Sequence, residues 1–204
     1  MAAVITVPCP AAAVCEPDDD CLLAKFAGGE RTALEGLFLR YRQPAYRVAY
    51  RLLGNEADAL DAVQEAFVKA LTHLAGFQRR SSFKTWLMRV VSNAALDLGR
   101  QRGRRECLSL EAAEVRDGDL SLLLVPDESA AQLDRSELRR LLDQALLTLS
   151  EAQRQTFVLH AEAGLSYREV AEVMNISIGT VMSRLFYARQ KLRTYLAHKL
   201  SSQD

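Results

Sequence analysis

The 204-residue sequence lacks the signatures of several large protein classes. No apolar run reaches the ~18 residues of a membrane-spanning helix, and no basic stretch precedes the apolar residues at the N-terminus, as a secretory signal requires. The motif H-E-x-x-H, the motif G-x-S-x-G, the P-loop and the dinucleotide-binding glycine fingerprint are also absent. We therefore expect a cytoplasmic protein without membrane insertion that is not an enzyme and holds no cofactor.

Cysteine is scarce and badly spaced for a metal site. Three of the four cysteines lie in the N-terminal tail and one stands alone: Cys9, Cys15, Cys21 and Cys107. No Cys-x2-Cys pair exists, so the sequence does not indicate a zinc site and we expect no bound metal. The favoured interpretation is reduced thiols without a structural role, and a redox-sensing tail is the alternative.

The net charge is zero, which by itself argues against a nucleic-acid partner. The charge is nevertheless strongly segregated along the chain. Residues 79–105 carry 8 basic and 1 acidic group (net +7), whereas residues 106–137 carry 2 and 9 (net −7). Residues 1–78 have a net charge of −3 and residues 138–204 of +3. Because local potential steers a partner, the basic blocks remain compatible with binding to nucleic acid.

The C-terminal third predicts two helices joined by a short turn. Ser166 and Glu169 form an S-x-x-E capping box, which predicts a helix starting at Tyr167. Asn175 suits the left-handed residue that ends a helix, and Ser177 can cap the next one. An apolar stripe recurs at i, i+4, i+7 and i+11 in that second helix: Val181, Leu185, Ala188 and Leu192. This arrangement is typical of a helix-turn-helix.

The second helix carries basic side chains without carboxylates. Glu172 is the last acid before Asp204, and five basic residues lie between them: Arg184, Arg189, Lys191, Arg193 and Lys199. Such a helix suits a phosphate backbone, so the pattern favours DNA binding. A plain helical hairpin with a solvated basic face is the alternative.

The N-terminal half predicts further helices after a tail, residues 1–20, without periodicity that we expect to be disordered. The first predicted helix spans about Asp20 to Gly28, and the second spans about Arg31 to Arg42 with the apolar stripe Leu34, Leu37, Phe38 and Tyr41. A third helix has Pro44 in its first turn and stops near Gly54. A fourth spans about Glu56 to Leu74. On the last helix the predicted inward face is Leu60, Val63, Phe67, Ala70, Leu71 and Leu74, and the opposite face carries Asp58, Asp61, Gln64 and Glu65. These acids either favour the helix dipole or form a docking face for a basic partner.

A loop and a long helix of about Phe83 to Arg102 follow. The loop and helix combine arginines with Phe77 and Trp86, a combination that suits a strand of nucleic acid with unstacked bases. Ordinary core packing is the alternative for both rings. An acidic linker, residues 106–134, follows, and a helix resumes near Ser129 or Leu133 and runs to about Leu149. Ser150 can cap the next helix, over about Ala152 to Ala163. We predict an all-α fold with two small helical domains, residues 21–105 and 135–204, joined by that linker.

Three stretches together resemble the extracytoplasmic-function (group IV, sigma-70 family) sigma factors of bacterial RNA polymerase. The stretches are Asp58–Ala70, similar to the core-binding helix of that family; Ser82–Asp97, similar to its minus-ten helix; and Leu149–Phe157 with Leu165–Arg189, similar to its minus-thirty-five domain. The resemblance covers about residues 21–105 and 135–197, with matching order and spacing.

The resemblance implies a promoter-specificity subunit that binds core RNA polymerase and promoter DNA under the control of an anti-sigma factor. Core polymerase would contact Asp58, Asp61, Gln64 and Glu65. The minus-ten element would contact Phe77, Arg79, Arg80, Lys84, Trp86, Arg89, Asn93 and Arg100. The minus-thirty-five element would contact Ser166, Tyr167, Thr180, Ser183, Arg184, Phe186, Tyr187 and Arg189. The linker would thread toward the active-site cleft of the polymerase.

Two positions depart from the family pattern: Met182 and Tyr187 stand where the family commonly has basic residues. This change predicts an altered minus-thirty-five preference, since each base contact contributes roughly 1–3 kcal/mol. Two other functions remain open at this point. A stand-alone helix-turn-helix regulator would leave the region from Asp61 to Asn93 unexplained, and a mimic that only titrates an anti-sigma protein should lack the basic cluster from Arg79 to Arg105.

Overall fold

The computed structural model describes residues 18–110 and 130–200, and these residues contain helices and no strand. The helices are α1 (Asp19–Ala27), α2 (Thr32–Leu53), α3 (Glu56–His73), α4 (Phe83–Leu110), α5 (Ala130–Leu147), α6 (Glu151–Ala161), α7 (Tyr167–Met174) and α8 (Ile178–Leu200), with a 3₁₀ turn at Leu74–Gly76. The all-α prediction is confirmed. Among the described helices, none combines the length and the apolar character that crossing a bilayer demands.

Local capping sets the ends of the helices that the sequence analysis placed well. Ser166 and Glu169 form the predicted reciprocal capping box at the start of α7, and Ser150 forms another with Gln153 at the start of α6. Asn175 ends α7 in the left-handed conformation, with φ 52° and ψ 50°. The Ser177 hydroxyl accepts the Thr180 N–H at 3.1 Å, which caps α8. Each cap satisfies a backbone group that the helix itself leaves open.

Pro44 does not begin a helix, contrary to the sequence prediction; it lies inside α2. An internal proline removes one backbone hydrogen bond and costs about 3 kcal/mol. The turns that follow are held by a fully or almost fully buried apolar stripe: Ala45, Val48, Ala49 and Leu52. Burial of this stripe offsets the cost, since apolar burial contributes roughly 25 cal/mol per Å².

Helices also extend into segments that the sequence analysis left unstructured. Asp18 caps α1, so helix begins within the segment expected to be disordered, and residues 1–17 lie outside the described part of the chain. Helix α4 reaches Leu110, beyond its predicted end near Arg102, whereas α5 begins at Ala130, close to the predicted start near Ser129 or Leu133. What remains of the expected linker, residues 111–129, also lies outside the described residues.

By its contacts the chain divides into two compact units, one ending at Leu39 and the other beginning at Arg40. In the first unit the Leu22 side chain lies against Gly36, 3.3 Å from where a β-carbon would stand. Leu37 is buried, but Phe38 of the same predicted stripe is 45% exposed. A helix that buries Ala33 and Leu37 turns position 38 toward its outer side, so the predicted stripe was too wide.

In the second unit α3 packs along α4, and α8 packs against α5, α6 and α7. One buried cluster joins α5 to α8 and consists of Ala145, Leu146, Leu149, Ala188 and Leu192. Helix α4 also contacts α7 and α6. The helix that carries the predicted minus-ten residues therefore lies against the helix-turn-helix in this structure.

Candidate nucleic-acid and protein interfaces

The outer face of α3 presents three of its four predicted polar residues together. Asp61, Gln64 and Glu65 are exposed, and the Glu65 carboxylate lies 2.6 Å from the Lys69 ammonium. Asp58 is less exposed, and its carboxylate accepts a hydrogen bond from the Arg102 guanidinium of α4. The face from Asp61 to Glu65 is thus accessible to a partner, whereas Asp58 helps to join α3 to α4.

Apolar side chains accompany these acids on the surface. Leu60, Val68 and Leu71 are 54%, 55% and 50% exposed. The prediction that Leu60 and Leu71 face the core is therefore wrong. The buried face of α3 is built largely from small residues at helical spacing, namely Ala59, Ala62, Ala66 and Ala70. The spacing of these alanines was the feature of the sequence that could have identified the buried face, because small residues allow the close approach of α4. We call the outward set Leu60, Asp61, Gln64, Glu65, Val68 and Leu71 the α3 face.

An aromatic cluster lies at the start of α4. The Phe77 and Trp86 rings are 5.1 Å apart, and Phe83 lies 5.7 Å from Trp86 and 5.6 Å from Tyr41. Phe83 is buried, whereas Phe77 and Trp86 are partly exposed. The rings therefore pack on each other, as the core alternative expects, and still reach the surface. Such a half-exposed platform is suited to stacking on an unpaired base.

The loop before α4 carries its arginines outward. Arg79 adopts a positive φ of 51°, a conformation that non-glycine residues seldom hold. Arg79 and Arg80 are both exposed. Both side chains thus lie at the surface next to the aromatic cluster, a position that suits contacts to phosphate.

The remaining minus-ten residues on α4 do not form one open surface. Asn93 is exposed, but the Arg89 guanidinium donates to the Glu172 carbonyl oxygen at 2.6 Å. Arg100 pairs with Glu151 at the start of α6. The Lys84 ammonium lies beside Gly164, 3.6 Å from where a β-carbon would stand. Three of the predicted DNA contacts thus face the C-terminal helices.

Glu169 joins the capping box to α4. The buried Thr85 hydroxyl donates to one Glu169 carboxylate oxygen at 2.8 Å, while Ser166 donates to the other from its backbone and its hydroxyl. Burial raises the pKa of Glu169, but these hydrogen bonds and the nearby Lys84 outweigh burial, so the pKa lies below its ordinary value. The carboxylate is therefore charged at neutral pH and holds two helices at once.

The helix-turn-helix presents its second helix, α8, to solvent. Val181 and Leu185 bury one side of α8, while Phe186, Tyr187 and Arg189 are exposed on the other and Arg184 is partly exposed. The predicted polar contacts are engaged locally: the Ser166 hydroxyl in the α7 cap, the Thr180 hydroxyl with Ser177 at 2.8 Å, and the Ser183 hydroxyl with the Gly179 carbonyl at 2.9 Å. Tyr167 packs against His160, with ring centroids 4.9 Å apart.

Comparison with known proteins gives the family. Residues 37–105 match Sigma-70 region 2, and residues 139–192 match Sigma-70, region 4. The RNA polymerase sigma-H factor of Pseudomonas aeruginosa is 33% identical over 180 residues, which cover 87% of this chain and 93% of that protein. The ECF RNA polymerase sigma-E factor of Escherichia coli K12 is 33% identical over 176 residues, which cover 85% and 92%. The chain belongs to the extracytoplasmic-function family of RNA polymerase sigma factors.

Two solved structures share the fold of this chain. CnrH in complex with the cytosolic domain of CnrY matches with a TM-score of 0.65 and 27% identity, covering 89% of this chain and 99% of that one. The sigma factor RpoE of Bartonella quintana, in complex with the anti-sigma factor NepR, matches with a TM-score of 0.63. At 24% identity over 80% of this chain and 96% of that one, the second likeness supports the fold alone. Sigma factors give RNA polymerase its promoter specificity and are not enzymes.

Sequence reasoning missed an ion-pair cluster around Arg51 that joins three helices of this sigma factor. Arg51 of α2 pairs with Asp143 of α5 and, at 3.0 Å, with Glu162 at the end of α6. The Arg51 side chain is only 16% exposed, and the side chains of Asp143 and Glu162 are each 24% exposed. Burial is the largest influence on the Asp143 carboxyl and raises its pKa, and the negative charge of Glu162 raises it further. Arg51 lowers the pKa of Asp143 but does not outweigh these effects, so the pKa lies above its ordinary value. Local sequence carries no signal for this cluster, because its members are up to 111 residues apart.

The cysteines and metal-ligating residues add no site among the residues that the structure describes. Cys21 is a free, exposed thiol. The side chains of the other three cysteines lie outside the described part, so the redox alternative remains a prediction. No group of His, Cys, Asp and Glu suited to a metal ion occurs within 18–110 and 130–200.

Proposed function

We propose that three surfaces of this sigma factor act at three sites of the transcription complex. The α3 face binds core RNA polymerase, the loop and aromatic cluster before α4 bind the minus-ten element, and α8 enters the major groove at the minus-thirty-five element. The domains that carry these roles are residues 21–105 and 135–204. We place the protein in the cytoplasm, where its polymerase partner works.

The observation that carries the proposal is the helix-turn-helix. Its first helix is capped at both ends, so the angle into α8 is fixed by Ser166 and Asn175 rather than by packing alone. The outer side of α8 is exposed and carries Arg189 beside the partly exposed Arg184. A rigid helix with a basic outer side and no carboxylate is the geometry that reads a major groove.

The minus-ten role is supported by the half-exposed rings. Phe77 and Trp86 are held by Phe83 beneath them, so their outer edges are fixed before DNA arrives. Fixed rings stack on a base at little entropic cost, and the exposed Arg79 and Arg80 supply charge for the adjacent phosphates. A strand with one base turned out of the stack fits this arrangement.

The core-binding role is supported by the mixture of apolar and acidic groups on the α3 face. Half-exposed Leu60, Val68 and Leu71 offer apolar area, and Asp61 with Glu65 offers charge for a basic partner. An interface with an apolar centre and charged neighbours combines affinity with orientation.

We further propose that the packing of α4 on α7 is the inactive arrangement and that an anti-sigma factor stabilises it. Arg89 and Lys84 face Glu172 and Gly164 here, so these side chains cannot reach DNA until the helices separate. The related structure of CnrH, at 27% identity, is a complex with the cytosolic domain of CnrY, which supports a protein partner for this arrangement. Binding to polymerase would separate the helices and expose α4.

Transcription in vitro tests the proposal. The purified chain with core RNA polymerase should start transcripts at discrete promoters, and core polymerase alone should not. Failure to start transcripts anywhere on genomic DNA would contradict the proposed function. High-affinity duplex binding without polymerase would instead favour a stand-alone regulator, and co-purification of a single small partner without polymerase subunits would favour a mimic.

A further inference from the structure

The outer side of α8 carries three large apolar side chains beside its arginines. Met182, Phe186 and Tyr187 are 55%, 64% and 58% exposed, and the two rings pack edge to face at 5.4 Å. Single exposed apolar residues are common on protein surfaces, but a group of large ones on one side of one helix marks an interaction surface.

Packing on the other side of α8 fixes this orientation. Val181, Leu185 and Ala188 are at most 1% exposed, so the helix cannot rotate to bury Met182. Met182 and Phe186 are four residues apart and therefore lie on the same side. The three exposed side chains consequently form one continuous patch, which we call the α8 patch.

The polar side chains next to the patch are already engaged in the helix. The Thr180 hydroxyl bonds to the Ser177 hydroxyl at 2.8 Å, and the Ser183 hydroxyl donates to the Gly179 carbonyl at 2.9 Å. These hydroxyls hold the N-terminal turns of α8 together. At the position of Met182 the side chain that α8 offers to a base edge is apolar.

Charge indicates which partner the patch meets. Helix α8 contains no carboxylate and carries Arg184, Arg189, Lys191 and Arg193. This composition attracts a polyanion and repels a basic protein surface, so we take the partner to be duplex DNA. In the major groove each base edge displays hydrogen-bonding groups, and the only apolar group is the 5-methyl of thymine.

We propose that Met182 is a specificity-determining residue that contacts the 5-methyl group of a thymine in the minus-thirty-five element, with the Phe186–Tyr187 ring pair flanking that contact. The proposal rests on the proposed entry of α8 into the major groove. The groove must therefore offer a T·A pair at that position, where the apolar thioether meets the methyl group.

Removing single methyl groups from the DNA tests the contact directly. Promoters are first selected by transcription with the holoenzyme from duplex templates randomised across the promoter region. Each thymine of the upstream element is then replaced by deoxyuridine, which lacks only the 5-methyl group. At one position we expect holoenzyme binding to weaken about fourfold, as the loss of one buried methyl group predicts. With Met182→Ala the thymine and deoxyuridine templates should bind equally at that position.

An exchange of specificity supplies the second readout. Arginine binds the N7 and O6 of guanine, so Met182→Arg should change the preferred base pair at that one position from T·A to G·C by roughly tenfold. Gln190→Arg adds the same charge two turns further along α8 and serves as the matched control. It should raise affinity for all templates and leave the base preference unchanged.

The possible results distinguish a failure of the methyl contact from a failure of promoter binding. If no template is selected, the promoter-binding function itself fails. If templates are selected but no deoxyuridine substitution weakens binding, the methyl contact is wrong. A Met182→Ala variant that keeps its base preference and instead loses a co-purifying protein would overturn the inference in favour of a protein-binding patch.

Discussion

At the scale of the residue, Glu169 serves two levels of structure at once. It closes the capping box of α7 with Ser166 and accepts a hydrogen bond from Thr85 of α4. Replacing Ser166 removes the hydroxyl that caps the Glu169 N–H, which lies 3.3 Å away. We expect Ser166→Ala to lower the free energy of unfolding by about 1 kcal/mol, measured by chemical denaturation. Thr194→Ala is the control: its hydroxyl only bonds back to the Gln190 carbonyl on an exposed side, and an equal loss there would refute the capping argument.

The same carboxylate makes stability depend on pH. The pKa of Glu169 in the folded protein lies below its ordinary value of 4.5. A depressed pKa contributes stability above the unfolded value, and that stability is lost as pH falls through the folded value. We expect the free energy of unfolding to fall more steeply between about pH 5 and about pH 3 in the wild type than in Glu169→Gln. Parallel pH profiles would show that Glu169 is not held as described.

Local chemistry explains which residue-level predictions succeeded. The caps at Ser150, Ser166, Asn175 and Ser177 depend on partners within about four residues, so the sequence contains the whole interaction. The orientation of Leu60 and Leu71 depends on which side of α3 meets α4. Apolar periodicity favoured the larger residues for the core, whereas the close approach of α4 required the alanines.

At the scale of the element, the α3 face is a separable test of polymerase binding. Asp61 is exposed, and no hydrogen bond or ion pair of its side chain is found among the described residues. We expect Asp61→Arg to weaken binding to core polymerase at least tenfold, measured by competition with the wild type for core enzyme, because a like charge then meets the basic partner. The folding transition should stay within about 0.5 kcal/mol.

A charge-matched variant distinguishes a specific face from a general charge effect. Glu35 is an exposed acid on α2, outside the α3 face, so Glu35→Arg makes the same change elsewhere. We expect it to leave polymerase binding unchanged. Equal weakening by both variants would show that net charge, and not the α3 face, governs the association.

At the scale of the whole molecule, the packing of α4 on α6 and α7 is the feature that sequence could predict least. The fold, the order of the surfaces and the family resemblance follow from local patterns and spacing. The contact itself depends on pairs such as Thr85 with Glu169 and Arg100 with Glu151, which are 84 and 51 residues apart. Nothing in a helix period reveals which side chain across the molecule will meet another.

Arg51 is the residue on which this packing should be tested. Its guanidinium neutralises both Asp143 and Glu162, and removing it leaves two partly buried carboxylates facing each other. Breaking a fully buried pair costs about 3–5 kcal/mol, and the partial exposure here reduces this to roughly 2 kcal/mol. We therefore expect Arg51→Ala to release α5 and α6 from α2 and to increase the radius of gyration in small-angle X-ray scattering, with helix content by circular dichroism unchanged.

Arg47→Ala provides the matched control for this opening. Arg47 lies on the same helix one turn earlier, 4.0 Å from Glu162, but its side chain is 56% exposed. An exposed pair contributes at most about 1 kcal/mol, so this variant should scatter like the wild type. If the packed arrangement is the inactive one, Arg51→Ala should also start transcription with core polymerase faster than Arg47→Ala does. An Arg51→Ala protein as compact as the wild type would mean that the α4–α7 contacts hold the arrangement without the Arg51 cluster.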